Sequence, residues 1–237
     1  MIKQHFVTAA TAAGLLLAST LSAASDWKGV GEAGLVIVEG NSESQVLNAN
    51  LTFENESEKW DHKLRLAATS AESDGEKDAE SYTADWDTQY YLTERSFVFG
   101  DLRYFDDKFD SFEAIYSGAV GLGYRVVKTE AISWKTSAGA GYRQTELEET
   151  GEEQSGVNYL FISDYKHKLT DTTTLTNETR VEVSEDNTFT QNIFGLSVAI
   201  NSSLAMKFAY ELRYNSEPAE GDENTDSITS VNLVYNF

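Results

Sequence analysis

The chain of 237 residues has no cysteine, a single proline and three histidines, and its 18 basic residues are outnumbered by 39 acidic ones, for a net charge of −21. Each shortage excludes something. Without cysteine there is no disulfide framework, thiolate metal site or thiol nucleophile. A polyanion without a Lys/Arg-rich stripe repels phosphate backbones, which argues against nucleic acid as a partner. Beyond the first residues no apolar run reaches helix-spanning length, so a membrane location would demand a closed β-barrel, since an open sheet edge in lipid leaves backbone groups unpaired.

What is present points the same way. Hydrophobic residues make up 41% of the chain, and 12 Tyr, 12 Phe and 4 Trp are too many for a disordered acidic polymer. Lys3 is the only charged residue before Asp26, the stretch from Phe6 to Ala18 is mostly apolar, and Ser22 and Ala24 sit at the −3 and −1 positions of a cleavage site. Residues 1–24 therefore read as a secretory signal and 25–237 as one folded domain.

That domain alternates with period two, the signature of strands. Phe208, Tyr210, Leu212 and Tyr214 face one way and Lys207, Glu211 and Arg213 the other; Trp60, Leu64, Leu66 and Ala68 oppose Lys59, Asp61, Lys63 and Arg65. About twelve such segments of roughly ten residues or more are expected, the length of tilted transmembrane strands. The predicted fold is an all-β, antiparallel up-and-down transmembrane barrel of about twelve strands. Short connections are expected near residues 56–58, 93–95, 128–130, 169–171 and 201–203, and longer ones at 39–44, 70–80, 106–112, 146–155, 184–188 and 215–226. Short periplasmic turns and long external loops are the asymmetry of outer-membrane barrels, which a soluble sandwich does not require. Trp27, Trp60, Phe97, Tyr124, Trp134, Tyr165 and Tyr235 then fall near periplasmic strand ends as an aromatic girdle. The last strand ends at Phe237, a terminal aromatic of the kind through which barrel-assembly machinery engages its clients.

Trp27-Lys28-Gly29, Glu32-Ala33-Gly34 and Gly40-Asn41-Ser42-Glu43, then Arg103-Tyr104, Asp106-Asp107-Lys108-Phe109, Gly121-Leu122-Gly123-Tyr124-Arg125 and Gly139-Ala140-Gly141-Tyr142-Arg143, follow one another in an order and spacing that resembles the salt-induced outer membrane protein family, the YdiY-like group called domain of unknown function 481. The resemblance covers essentially all of the chain after the signal. It implies an outer-membrane barrel of a Gram-negative bacterium with a link to salt stress, and it supplies no catalytic residue.

Neither Gly-x-Gly copy has the spacing or the following helix of a nucleotide loop. In strand register Gly121, Gly123, Gly139 and Gly141 face the lumen, as a flat strip that leaves room for bulky inward side chains or an infolded loop. The predicted lumen-lining charges are Lys63, Arg65, Asp85, Asp87, Asp101, Arg103, Arg125, Arg143, Glu178, Arg180, Glu182, Lys207, Glu211 and Arg213. They fit either a network of ion pairs filling a narrow barrel or a polar pathway for ions or small solutes. A hydrolase is the reading of a different class, but His62 and His167 share the phase of apolar neighbours near the periplasmic boundary and are expected to pack there. The acidic clusters 72–80, 146–153 and 217–226 lack the ordered spacing of a calcium loop and read as solvated loops. No cofactor, metal or catalytic site is expected. The expected partners are outer-membrane lipids and lipopolysaccharide, with the protein a monomer.

Overall fold

A computed structural model describes residues 27–38, 44–73, 76–107, 112–147, 153–185, 187–217 and 224–237. The secretory signal, the motif around Asn41, residues 74–75 of the first acidic cluster and most of the second and third clusters lie outside the described residues. Twelve strands follow one another: β1 (Trp27–Val38), β2 (Ser44–Glu56), β3 (Trp60–Ser73), β4 (Glu76–Tyr91), β5 (Ser96–Asp107), β6 (Phe112–Lys128), β7 (Ile132–Leu147), β8 (Glu153–Lys168), β9 (Thr173–Val183), β10 (Thr188–Ala199), β11 (Leu204–Asn215) and β12 (Thr225–Asn236). Each pairs with its neighbours in sequence, and β12 returns to β1 to close the ring. The predicted up-and-down barrel is the observed fold.

The alternation becomes two opposed surfaces. Val120 is 70% and Leu122 65% exposed, while Asp101 and Arg103 are about 95% buried. A mostly apolar exterior, interrupted on β9 and β10 by the hydrogen-bonded Asn177, Thr179 and Asn192, around a mostly polar interior inverts the soluble pattern, and it suits a wall whose outer solvent is hydrocarbon. Exposed tyrosines such as Tyr82, Tyr116 and Tyr142 stand toward one rim. There the Tyr82 hydroxyl donates to Glu80 Oε1 at 2.9 Å and that of Tyr104 to Asp106 Oδ2 at 3.0 Å, with both acceptors farther out along their strands. The opposite rim carries Trp60 and Trp27 stacked on His62, with ring centroids 5.5 and 6.4 Å apart, and Trp134 against Tyr165.

The five short connections share one device. Ser57, Thr93, Thr129, Thr170 and Asn201 each use a side-chain oxygen to accept the backbone N–H three residues on, at 2.9–3.0 Å. Such side-chain turns satisfy the backbone where the ladder stops. On the other rim the contrast in length is smaller than expected. β3 runs on to Ser73 and β4 starts at Glu76, so most of the 70–80 segment is strand: hairpins continue to pair where alternating polar residues keep both faces wettable.

A second departure is Phe97. It has no exposed surface and points inward with Tyr91, Phe99, Ala119 and Leu160, so it is not part of the girdle. Its phase is that of Asp101 and Arg103, and across β6 it meets Gly123, where a Cβ would lie 2.1 Å from its ring.

The β1/β12 seam has the shortest described ladder, from Val30↔Asn236 to Gly34↔Asn232. It is extended at its end by Gly29 and Phe237, whose backbone groups exchange hydrogen bonds of 2.8 and 2.9 Å. The Phe237 ring lies over Gly29, edge-on to Phe53 at 6.1 Å. Gly29→Val would drive this ring off the seam, because a Cβ there stands 2.1 Å from it. A loss of about 1–3 kcal/mol is expected for such overpacking, read as a lower urea midpoint for the heat-modifiable folded form in vesicles; an unchanged midpoint would refute the seam assignment.

Candidate functional site: the barrel interior

The inward residues of the strands converge on the barrel axis, and the closeness of opposite walls makes this interior the candidate site. At the turn-bearing end a wall of small residues on β6 and β7 receives aromatic rings from β5. Gly121 lies opposite Gly139, Ala119 opposite Gly141, and Phe99 opposite Gly121. A Cβ at Gly121 would come within 2.2 Å of the Ala138 carbonyl oxygen and 2.6 Å of the Phe99 ring. The glycine strip therefore makes room for inward aromatic side chains. Beside it the buried Asp61 accepts a 2.6 Å hydrogen bond from the Tyr91 hydroxyl and pairs at 3.5 Å with both Arg125 and Lys135. The Arg125 guanidinium stacks 3.7 Å over the Tyr91 ring, a cation–π contact in a desolvated setting.

Above this plug the charges pair across the axis. Lys63 on β3 reaches Glu178 on β9 at 3.3 Å, and those strands are six apart in a ring of twelve, so the bridge spans a diameter. Arg180 on β9 holds Asp101 on β5 through two hydrogen bonds of 2.7 and 3.0 Å and touches Glu182 at 2.5 Å. Arg103 donates to Gln191 Oε1 on β10 at 3.3 Å and lies 3.7 Å from Asp85, which Arg65 grips at 2.7 Å. Gln191 passes the chain to Glu211 at 2.6 Å, and Glu211 accepts from Arg213 at 2.6 Å. Lys207 bonds Glu32 at 2.9 Å. Asp87 accepts from Gln89 at 2.7 Å, and Arg143 is buried opposite Ser117 and Gly156.

The fourteen anticipated side chains thus fall into several groups: Arg65, Asp85, Arg103, Glu211 and Arg213 joined through Gln191, Arg180 with Asp101 and Glu182, the pairs Lys63–Glu178 and Lys207–Glu32, Asp87 and Arg125 beside the plug, and Arg143 opposite Ser117. The residues that were not anticipated are the plug (Tyr91, Phe97, Phe99, Leu160) and the polar linkers (Asp61, Lys135, Gln191, Glu32). The inward phase of β5 contained the signal for Phe97 and Phe99; the pairing of β3 with β9 had none, because no local pattern encodes which walls meet.

Energetically the pairs differ. Asp101 and Arg180 side chains are only 4% and 12% exposed, whereas Lys63 and Glu178 are 34% and 41% exposed. Breaking the first pair strands a buried charge, at about 3–5 kcal/mol; breaking the second leaves each group access to water and costs far less. Cations also rest on rings at the outer end, where Arg103 lies 5.4 and 5.5 Å from the Phe105 and Phe189 centroids. Gly156, by contrast, has nothing within 4 Å of its Cβ position, so the interior opens beside it.

Similarity to known proteins follows the fold. A family model described as "Protein of unknown function, DUF481" matches residues 31–237. The chain is 28% identical over 219 residues to the uncharacterized protein YdiY of Escherichia coli (strain K12), covering 91% of this chain and 85% of that protein. Among solved structures it is similar to the NanC porin, with a TM-score of 0.51, 10% identity and coverage of 87% of this chain and 97% of that one. An outer membrane channel from Pseudomonas putida F1 aligns with a TM-score of 0.52, 8% identity and coverage of 89% and 94%. At these identities the structural likeness speaks for the fold.

Two substitutions separate a filled interior from an open one. Gly121→Leu must displace backbone as well as Phe99 and should abolish the folded, heat-modifiable species on a denaturing gel. Gly156→Leu should assemble as the wild type does; equal yields for both would contradict the packed wall. Arg180→Met should lower unfolding stability by about 3 kcal/mol, because Asp101 loses the guanidinium that gives it two hydrogen bonds, and a change under about 0.5 kcal/mol would contradict the burial of this pair.

Proposed function

The chain belongs to the DUF481 family, and from that membership and the bridged interior we propose that it is an outer-membrane barrel of the Gram-negative envelope, closed to solutes at rest. Its role is structural, that of an envelope component rather than a catalyst. The observation that carries this reading is the Lys63–Glu178 bridge across a barrel diameter, flanked by Arg180–Asp101 on one side and the Phe97/Phe99 plug on the other. A freely conducting pore of this circumference would keep its opposite walls apart.

Catalysis is not part of the reading. His62 shares its Nδ1 with the Thr88 hydroxyl at 2.9 Å and stacks on tryptophans, and His167 Nδ1 lies 3.2 Å from the Tyr165 hydroxyl. Both belong to the aromatic rim, away from the inward carboxylates.

A narrow passage for ions is the second reading, favoured by the partial exposure of the Lys63–Glu178 bridge. The two readings join in a salt-linked role of the kind the family resemblance implies. Such a wetted ion pair weakens as the screening length falls from about 10 Å at 0.1 M salt to about 3 Å at 1 M. Planar-bilayer recording of the refolded protein tests this. At about 0.1 M salt the wild type should show no stable unitary currents, and Lys63→Ala with Glu178→Ala should show them. At about 1 M the wild-type current should rise by more than bulk conductivity does. Stable wild-type steps at the lower salt would sink the closed-barrel reading.

A further inference from the structure

The outward-facing wall is not the same all round. On β5 and β6 its middle carries Leu102, Val120 and Leu122, each more than half exposed. On β9 and β10 the middle is polar. The ladder between these strands runs from Thr188↔Val183 to Val198↔Thr173, its central pair is the inward Glu178↔Ile193, and the outward Asn177, Thr179 and Asn192 flank that midpoint. Thr179 continues the polar row onto β8 and β7 through Ser163 and Thr136.

These side chains hold one another, but not completely. Asn177 Nδ2 donates to Asn192 Oδ1 at 3.1 Å, and Asn192 Nδ2 donates to Thr179 Oγ1 at 2.8 Å and to Asn177 Oδ1 at 3.4 Å. The Thr179 hydroxyl also donates to Asn177 Oδ1, at 3.4 Å. Each carboxamide carries two N–H groups and an oxygen with two lone pairs, so one N–H of Asn177 and one lone pair of Asn192 are left over. Water is absent at the middle of a lipid-facing wall, and an acyl chain offers neither donor nor acceptor.

The leftover valences identify the partner. One donor and one acceptor on adjacent strands are both satisfied by the same pair turned through a two-fold axis, where Asn177 of each copy donates to Asn192 of the other. Such side chains join transmembrane elements where lipid is excluded. The surround suits that exclusion: Phe194 stands opposite Asn177 on β10, and Phe161 follows Ser163 along the same face of β8. Charge permits the approach as well. The three acidic clusters belong to the β3/β4, β7/β8 and β11/β12 connections, so two copies of this strongly acidic chain meet at a hairpin that carries none of them.

We propose that the outer face of β8 to β10 is the interface at which two copies of this chain associate within the membrane, through reciprocal Asn177–Asn192 hydrogen bonds. The dimer departs from the single barrel expected from the sequence. It rests on the outer-membrane reading above, since only a lipid-facing wall denies these amides water.

Because the chain has no cysteine, single thiols test the contact in native outer membranes. Thr190→Cys lies on this face, two residues from Asn192 toward the outer rim. Ser70→Cys lies near the same rim on β3, which is six strands from β9 in the ring of twelve. With a short bismaleimide the first should give a covalent dimer of this chain and the second should not. Adding Asn177→Leu and Asn192→Leu to Thr190→Cys should lower the dimer yield roughly tenfold, with the folded, heat-modifiable species retained, because leucine suits a lipid-facing position. Should that variant fail to fold, Asn192→Val with Thr190→Cys reads the same loss. Equal dimer yields from the two thiols, an undiminished yield in the folded leucine variant, or capture of a different protein in place of a second copy overturns the interface. Fractionation keeps the two inferences apart: recovery of the folded barrel outside the outer membrane defeats the location and the dimer with it, while a folded outer-membrane barrel that Thr190→Cys does not join defeats only the dimer.

Discussion

A strand edge in hydrocarbon has no water to satisfy it, and that constraint organises this molecule. It makes closure of β12 on β1 the condition for every other contact, because the cross-axis bridges exist only in a complete ring. The seam that achieves closure is short, and it depends on a chain end whose final aromatic covers a glycine. Gly29 supplies the space, Phe237 the cover, and the two share a reciprocal pair of backbone hydrogen bonds.

Inside the ring two solutions to the same filling problem lie side by side. Where β6 and β7 are stripped to glycine and alanine, rings from β5 take up the volume, since a Cβ at Gly139 would meet the Val120 carbonyl oxygen at 2.4 Å and the Phe99 ring at 2.9 Å. Where the walls carry long charged side chains, those chains meet one another across the axis. Apolar filling needs no partner of defined charge; ionic filling does, since each buried carboxylate without its guanidinium is a large desolvation cost. The mixture leaves the interior tight at the turn-bearing end and looser toward Gly156.

Period two made the strands legible, because side-chain direction in a strand is fixed by residue parity. Parity also told which charges face inward, so Asp101 and Arg180 could be named without a structure. It could not tell that they touch, since β5 and β9 meet through ring geometry and not through sequence proximity. Phe97 shows how a chemical prejudice overrode parity: an aromatic near a strand end suggests a girdle, yet its phase with Asp101 and Arg103 already pointed it inward. The 70–80 segment shows the converse, since polar composition suggested a loop where backbone pairing continues into water.

The shared side-chain turns at Ser57, Thr93, Thr129, Thr170 and Asn201 bear on how the chain finds its fold. Each ties a hairpin locally, within three residues, so adjacent strands can register without help from distant parts of the chain. Every ladder but one then joins neighbours in sequence, and contacts between neighbours form fast. The exception joins the two ends. Folding should therefore proceed as a growing curved sheet of hairpins, with its slow step reserved for the moment the ends meet at Gly29 and Phe237.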